Sequence, residues 1–168
     1  YYATQYIYSM ALSMLNDRLG EIVQTANPPF TGASAGYGEF LLANTKEAFT
    51  LAVGSKLNGL EPAMKRVLEE AERACRFGFT ATEYERARIN YLEGMEAVYK
   101  EREKMKSGSY VSEYINNFIN NEPIPGIEFE YMLSKQLAPQ ISVEMVNKAM
   151  QQFMTENNQV VLVAGPEK

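Results

Sequence analysis

Apolar residues near the start of the chain recur every three or four positions, the spacing of a helix with one buried face. The repeating positions are Ile7, Met10, Ala11, Met14, Leu15 and Leu19. Proline has no amide hydrogen and restricts the residue before it, so Asn27-Pro28-Pro29 ends any helix. The pattern predicts a first helix that ends near Gln24.

In the next segment, residues 32–53, apolar residues recur at every second position, which predicts two strands joined as a hairpin. Small and larger residues alternate from Gly32 to Phe40, and larger apolar residues alternate again from Phe49 to Val53. The predicted turn is Asn44-Thr45-Lys46. The glycines of the first strand suit either a ligand cradle or close helix packing. Phosphate-binding glycines lie between a strand and a helix, so helix packing is favoured.

Two helices meeting at a corner are predicted after the hairpin. Asn58 is the expected N-cap of the first, with Glu61 three residues on, and Gly78 is expected to end it in a left-handed conformation. Thr80 and Glu83 have capping-box spacing, so a second helix starts at once. The apolar side of the first contains Leu60, Met64, Val67, Leu68, Ala71 and Cys75, and that of the second contains Tyr84, Ala87, Tyr91, Leu92, Met95, Val98 and Tyr99.

Three shorter helices and a final strand complete the predicted order. Ser107-Gly108-Ser109 breaks the long helix, and apolar faces follow at 111–119, at 129–137 before Pro139, and at 146–153 behind a Ser142 cap. Val160–Ala164 is β-branched and apolar, which predicts a strand inside a sheet. The order indicates an α+β fold, with an antiparallel or mixed sheet covered by a layer of consecutive helices.

The composition of the chain excludes several classes of function. The chain contains no histidine, so it cannot supply a histidine-dependent catalytic site or a histidine zinc site. The 21 acidic and 16 basic residues are interspersed, which argues against a nucleic-acid surface. No apolar run reaches the ~20 residues of a membrane span. The chain starts at Tyr1 and enters a helix at once, which predicts a piece of a longer protein.

The remaining candidates for chemistry each have a structural alternative. Without an activating histidine, Cys75 is expected to be a buried apolar residue rather than a nucleophile. A Lys104–Ser107 pair is better explained as a helix break. A carboxylate metal site would need Glu69, Glu70 and Glu72, or Glu83 and Glu85, although adjacent helical residues point apart. Tyrosines at near-helical spacing form either a binding platform or a half-buried surface between helices, namely Tyr84, Tyr91, Tyr99, Tyr110 and Tyr114.

Several motifs, taken in order, resemble the insulinase and pitrilysin type zinc metallopeptidases, in particular the large bacterial members. The resemblance extends from the first helix to about Asn147. It rests on the segments Met14–Ile22, Pro28–Phe30, Arg76–Thr80 and Glu122–Glu128, with Glu83, Arg86, Ala87, Glu113, Tyr114 and Phe118. It implies a single non-catalytic second domain over residues 1–168.

The same resemblance implies a role for the parent protein. In this family a reversed H-x-x-E-H motif and a downstream glutamate hold zinc on the first domain, and no position here matches them. No catalytic, cofactor or metal residue is therefore carried over to this chain. The expected partners are the catalytic zinc domain of the same chain and peptide substrates, with this domain as part of the chamber wall. The large bacterial members suggest a periplasmic or envelope location.

Two other functions stay open from the sequence. The parent is either an active peptidase or an inactive homologue that serves as a structural or subunit-binding protein. A free-standing helical module that binds through its tyrosines is the third possibility. A fragment of a larger protein is expected to self-associate through an exposed sheet edge or domain face.

Overall fold

The computed structural model of the chain describes residues 1–40, 43–105, 107–155 and 157–165. Within them the chain forms six α-helices, two strands and two short 3-10 turns, Arg102–Lys104 and Ser107–Tyr110. The helices are α1 (Tyr2–Val23), α2 (Leu60–Phe77), α3 (Ala81–Glu101), α4 (Val111–Asn120), α5 (Ile127–Leu137) and α6 (Val143–Met150), and the strands are β1 (Gly32–Phe40) and β2 (Ala43–Gly54). The α+β fold class is confirmed.

Helix α1 forms the centre of the core, as its apolar spacing predicted. Its stripe lies against β1, α2, α3 and α6. The buried members are Tyr6, Met10, Ala11, Met14, Leu15 and Leu19. Gln24 follows the last helical turn, so the predicted end is also confirmed.

Strands β1 and β2 form a two-stranded antiparallel sheet. Its inner face pairs Ala35 with Leu51 and Tyr37 with Phe49, and both pairs pack against the core. The predicted turn at Asn44–Lys46 is wrong, because β2 begins at Ala43 and these residues belong to the strand. Residues 41 and 42, which the prediction placed in the first strand, lie outside the described residues.

The start of α2 and its buried face both differ from the prediction. Gly59, not Asn58, precedes the first helical residue, and Asn58 has a positive φ of 58°. Leu60 and Leu68 are exposed. The buried side consists of Ala63, Val67, Glu70, Ala71 and Ala74. Small alanines permit a close approach of α2 to the core, and this packing outweighs the greater hydrophobicity of leucine.

The corner between α2 and α3 follows the predicted residues. Thr80 and Glu83 form a complete capping box at the start of α3. Gly78 has the predicted positive φ, 71°, although its ψ of −164° is extended rather than left-handed helical. Phe79 is buried beside it. Glycine is needed here because other residues rarely adopt this φ.

The later helices form where predicted, but their apolar faces are unevenly covered. Helix α6 buries Val146, Met150 and the following Phe153, and Ser142 precedes its first turn without a side-chain capping bond. Helices α4 and α5 also form, although Phe118 and Met132 are exposed. Amphipathic spacing therefore located these helices and did not determine their burial.

The predicted final strand is wrong in this structure. Val160–Ala164 has no strand pairing, and Val160 to Val163 are all exposed. A strand is stabilised by hydrogen bonds to a neighbour, and no described strand lies alongside this segment. The sheet of the described residues consequently has two strands rather than the three expected.

Candidate functional site

The acidic residues considered as metal ligands are instead paired with cations. Glu69 contacts Lys65, Glu72 contacts Arg76, and Arg88 donates two hydrogen bonds to Glu85. Across residues 1–40, 43–105, 107–155 and 157–165, no group of three His, Cys, Asp or Glu side chains is placed to hold a metal ion. These carboxylates therefore form ion pairs along helices.

A partly buried ion cluster joins the first three helices, and we call it the Arg18 cluster (Arg18, Arg66, Glu70, Arg73 and Glu83). The Arg18 guanidinium donates hydrogen bonds of 2.6 and 3.0 Å to the two carboxylate oxygens of Glu83 and one of 3.0 Å to the Gly78 carbonyl. It also lies 4.7 Å from the centre of the Phe79 ring. This bidentate contact lowers the pKa of the Glu83 carboxyl to about 2.

Glu70 is the buried carboxylate of the same cluster. Its oxygens lie 3.0 Å from Arg66 Nη1, 3.6 Å from Arg18 Nη1 and 3.8 Å from Arg73 Nη1. A charge removed from water needs such compensation. The Arg18 cluster thus joins α1, α2 and α3, and both of its glutamates are paired with arginines.

The sequence contained a signal for the Arg18 cluster that the prediction did not use. Arg18 follows Met14 by four residues and Leu15 by three, so it occupies the buried phase of α1. Glu70 follows Val67 by three residues and precedes Ala74 by four, so it occupies the buried phase of α2. A charged residue at each of two core positions, with opposite signs, indicates a buried ion pair.

Asn147 of α6 fixes the corner that Gly78 creates. The Phe79 amide donates to Asn147 Oδ1 at 2.7 Å, and Asn147 Nδ2 donates to the Phe79 carbonyl at 3.1 Å. A Cβ atom on Gly78 would lie 2.5 Å from Asn147 Cγ. The corner therefore requires glycine for its φ angle and also for space.

Cys75 has the environment of a structural residue. Its thiol donates a hydrogen bond of 3.3 Å to the Met150 carbonyl. Burial raises the pKa of the Cys75 thiol, which disfavours the nucleophilic thiolate. Cys75 is half-buried rather than buried, and its contacts agree with a structural role.

The five tyrosines considered as a platform do not form one surface. The Tyr84 hydroxyl is buried and donates to the Ile141 carbonyl at 2.7 Å. Tyr91 packs edge-on against Tyr6 at a centroid distance of 5.0 Å, and Tyr99 stacks on Tyr131 at 4.7 Å. Tyr110 is partly buried, whereas Tyr114 is exposed on α4. Packing between helices describes Tyr84, Tyr91 and Tyr99 best.

The strand that contains the glycines packs against α1 through Ala35 and not through the glycines, so the favoured explanation of these glycines, close helix packing, is wrong. Asn16 of α1 accepts a hydrogen bond of 2.7 Å from the Ala35 amide and donates one of 3.0 Å to the Ala35 carbonyl. A Cβ atom at Gly36 or Gly38 would meet nothing within 4 Å. The side chain of Ser107, the other residue considered for nucleophilic chemistry, lies outside the described part.

One cavity that the sequence did not predict lies beside the start of α1. Its volume is about 410 Å³, and α3, α4, α5 and residues 122–124 form its other walls. Tyrosine rings and glutamate side chains line much of it. These residues come from distant parts of the sequence, so no local motif marks the cavity.

Two apolar surfaces lie open to solvent. We call the first the α4 surface (Val111, Tyr114, Ile115, Phe118 and Ile119), on which Phe118 is 90% exposed. The second is the C-terminal segment Val160–Val163. Contiguous exposed apolar residues are typical of interaction surfaces. Within the described ranges, no helix is long and apolar enough to cross a membrane.

Comparison with known sequences identifies a relative. No protein-family model matches the chain. Zinc protease PQQL-like from Arabidopsis thaliana is 29% identical over 159 residues, which is 95% of this chain and 14% of that relative. The chain therefore spans about one seventh of the length of the curated relative it matches.

Comparison with solved structures supports the same relationship at the level of fold. The first half of the periplasmic protease PqqL from Escherichia coli matches with a TM-score of 0.78 and 22% identity, over 90% of this chain and 32% of that one. The longer PqqL structure matches with a TM-score of 0.77 and 22% identity, over 89% of this chain and 16% of that one.

These matches define the class as an α+β domain with the fold of part of a zinc protease. The chain is homologous over most of its length to PqqL-like zinc proteases of the pitrilysin and insulinase family. The resemblance that the sequence motifs indicated is thereby confirmed. The chain matches only part of the larger protease in each comparison.

Proposed function

We propose that this chain is a single non-catalytic domain, residues 1–168, of a zinc metalloendopeptidase. In this proposal the zinc ion and its ligands lie in a separate catalytic domain of the parent protein. The present domain packs beside that catalytic domain and forms part of the wall of a substrate chamber. The parent's substrates are peptides that fit inside the chamber.

The observation that carries the proposal is that this chain is homologous to zinc proteases and contains no histidine. Zinc sites of the H-x-x-E-H kind need two histidines one helical turn apart, and this chain has none. The carboxylates of the Arg18 cluster are occupied by arginines. In this proposal the chain's contribution to proteolysis is positional.

The distribution of polar and apolar contacts supports a positional role. The Arg18 cluster and the Asn147 contacts fix the angles between α1, α2, α3 and α6, which gives the domain a defined shape. The α4 surface and Val160–Val163 expose apolar side chains that packing against another domain would cover. A rigid body with open apolar faces is suited to forming a wall.

The direct test compares peptide hydrolysis by the parent protein and by the 168-residue chain. Each is incubated with zinc and a mixture of unstructured peptides, with and without a chelator. The proposal predicts cleavage by the parent, loss of cleavage with the chelator, and no cleavage by the 168-residue chain. A parent variant with the glutamate of its H-x-x-E-H motif replaced by glutamine is the matched control.

Two outcomes would contradict the proposal. A parent that folds but never cleaves, or lacks an H-x-x-E-H motif, would favour an inactive homologue with a structural or subunit-binding role. Cleavage by the 168-residue chain alone would reveal a histidine-independent site.

Replacing Phe118 by glutamate in the parent tests whether this domain forms part of the chamber wall. Disrupting the packing of a domain face should alter which peptide lengths are cleaved.

A further inference from the structure

We propose that Asn58 is a site of spontaneous deamidation, at which water converts the side-chain amide to a carboxylate. The site lies in the turn at residues 56–59, between β2 and α2. This inference is independent of the proteolytic role proposed above. It rests on the residue that follows Asn58, on the exposure and conformation of the turn, and on the contrast with the other asparagines.

The reaction needs only the chain itself and water. The backbone nitrogen of Gly59 loses its proton to solvent and attacks Cγ of Asn58, which forms a nitrogen–carbon bond and closes a five-membered succinimide ring. The bond from Cγ to the side-chain nitrogen breaks, and that nitrogen takes up a proton from solvent and leaves as ammonia. Water then adds to either ring carbonyl and opens the ring, so that position 58 becomes aspartate or isoaspartate.

Gly59 is the residue that makes this attack easy. A side chain on the residue after an asparagine hinders the approach of that residue's nitrogen to Cγ, and glycine has no side chain. Asn58-Gly59 is the one Asn-Gly pair in the sequence. Asn27, by contrast, precedes Pro28, whose nitrogen has no hydrogen to lose.

The turn at residues 56–59 exposes the reacting groups. The Gly59 amide donates a hydrogen bond of 2.9 Å to the Lys56 carbonyl, and Asn58 has a positive φ of 58° at the third position of the turn. A positive φ at this position is typical of type II turns, which favour glycine or asparagine there. Asn58 is exposed, and the preceding Leu57 is 85% exposed. Solvent therefore reaches the side-chain amide.

The hydrogen bond of the Gly59 amide has to open before its nitrogen reacts. A single hydrogen bond in an exposed turn opens at a small cost in free energy, because water replaces the lost partner. Gly59 is also the N-cap of α2. The positive end of the helix dipole favours both the deprotonated nitrogen and the new carboxylate. The turn therefore slows the reaction and does not prevent it.

Other asparagines lack one of these features. The side chains of Asn16 and Asn147 each make two hydrogen bonds to the backbone of a distant residue, which hold the amide in place. Asn121 and Asn158 have positive φ angles of 56° and 59°, but each is followed by a residue with a side chain. Asn121 and Asn158 are therefore internal controls for the effect of glycine.

The test incubates the folded 168-residue chain in water enriched in heavy oxygen at neutral and mildly alkaline pH. Digestion at acid pH stops the reaction, and peptide mass spectrometry locates the heavy oxygen. We expect uptake at position 58 with both aspartate and isoaspartate as products, at a rate at least about tenfold above that at Asn121 and Asn158. The rate should increase with pH, because the attacking nitrogen has to be deprotonated.

Variants test the succinimide route. Gly59→Ala adds the hindering Cβ atom, and Asn58→Gln lengthens the side chain so that a larger ring would have to close. Each should slow the reaction at least about tenfold. A Cβ on Gly59 would lie 3.2 Å from the Lys56 carbonyl oxygen, so Asn58→Gln carries the test if Gly59→Ala proves unstable.

A matched control changes the same turn without touching the reacting groups. Leu57→Ala truncates an exposed side chain and should leave the rate within about twofold of the wild-type value. Thermal unfolding checks that every variant is folded.

Three results would overturn the assignment. The first is an intact Asn58 in the folded chain after an incubation that converts it in the urea-unfolded chain. The second is equal conversion at Asn58, Asn121 and Asn158. The third is formation of aspartate without isoaspartate, or an unchanged rate in both Gly59→Ala and Asn58→Gln, because either would mean direct hydrolysis without the succinimide.

Discussion

Helices α1 and α4 have similar apolar stripes and opposite environments. In α1 the stripe is buried beneath the hairpin and three other helices. In α4 the corresponding stripe, the α4 surface, is exposed along its whole length. The comparison teaches that periodicity identifies the face of a helix that avoids water, whereas the rest of the structure determines whether anything covers it.

The carboxylates show the same contrast. Glu70 and Glu83 are held by arginines in the Arg18 cluster, between α1, α2 and α3. Glu113, Glu122 and Glu130 line a cavity and have no ion-pair partner in the described segments. In the first region the carboxylates are neutralised by arginines, and in the second no described cation neutralises them. The predictions below test this division in order of expected effect.

The largest effect should come from truncating the core. Phe30 is fully buried, so Phe30→Ala should reduce the free energy of unfolding by about 4 kcal/mol through lost burial and a cavity. Phe118→Ala removes the same atoms from the α4 surface and should change it by less than about 0.5 kcal/mol. Urea unfolding of both variants measures the difference. Similar losses would show that α4 is covered within this chain.

The next effect concerns the corner at Gly78. Gly78→Ala forces a side chain into a positive φ and against Asn147, which should cost about 3 kcal/mol. Gly94 lies on an exposed part of α3 with free space around it, so Gly94→Ala should stabilise by about 0.5 to 1 kcal/mol. Thermal unfolding reports both. A tolerated Gly78→Ala would mean that the corner is not rigid.

The Arg18 cluster should make the free energy of unfolding decrease at acid pH. The folded-state pKa of Glu83 is about 2, below its usual value of 4.5. The carboxylate therefore stabilises the fold above pH 4.5, and this contribution, about 2 kcal/mol, is lost as the pH falls from 4.5 towards 2.

Glu83→Gln should flatten the decline of stability over that pH range, as measured by urea unfolding at several pH values. Glu85→Gln is the control, because it removes a more exposed partner of Arg88 and should alter the profile less. Equal pH profiles for wild type and Glu83→Gln would refute the stabilising role of the Arg18–Glu83 contact.

The smallest effect on stability, and the sharpest on association, should come from the α4 surface. Ile115→Glu with Phe118→Glu should leave the unfolding temperature nearly unchanged, because both side chains are exposed. The wild-type chain is expected to self-associate at high concentration, and the double variant should remain monomeric. Sedimentation velocity measures the difference. A monomeric wild-type chain would show that the α4 surface does not cause self-association.

Local signals accounted for much of the fold. The capping box at Thr80, the positive φ at Gly78 and the stripe of α1 are consequences of residues close together in the chain. The failures occurred where a distant partner decided the outcome. Val160–Val163 has the residues of a buried strand and no neighbouring strand. The buried side of α2 was chosen by close packing of alanines rather than by the hydrophobicity of leucines.

The sequence by itself determined the class of the protein and the chemistry that it lacks. The absence of histidine excludes a zinc site of the family type, and the ordered motifs indicated the homology that the comparisons confirmed. Only the tertiary structure placed Tyr6, Glu113 and Glu130 around one cavity and left the α4 surface open. Such groupings join residues from distant parts of the chain, so their geometry follows from packing and not from local spacing.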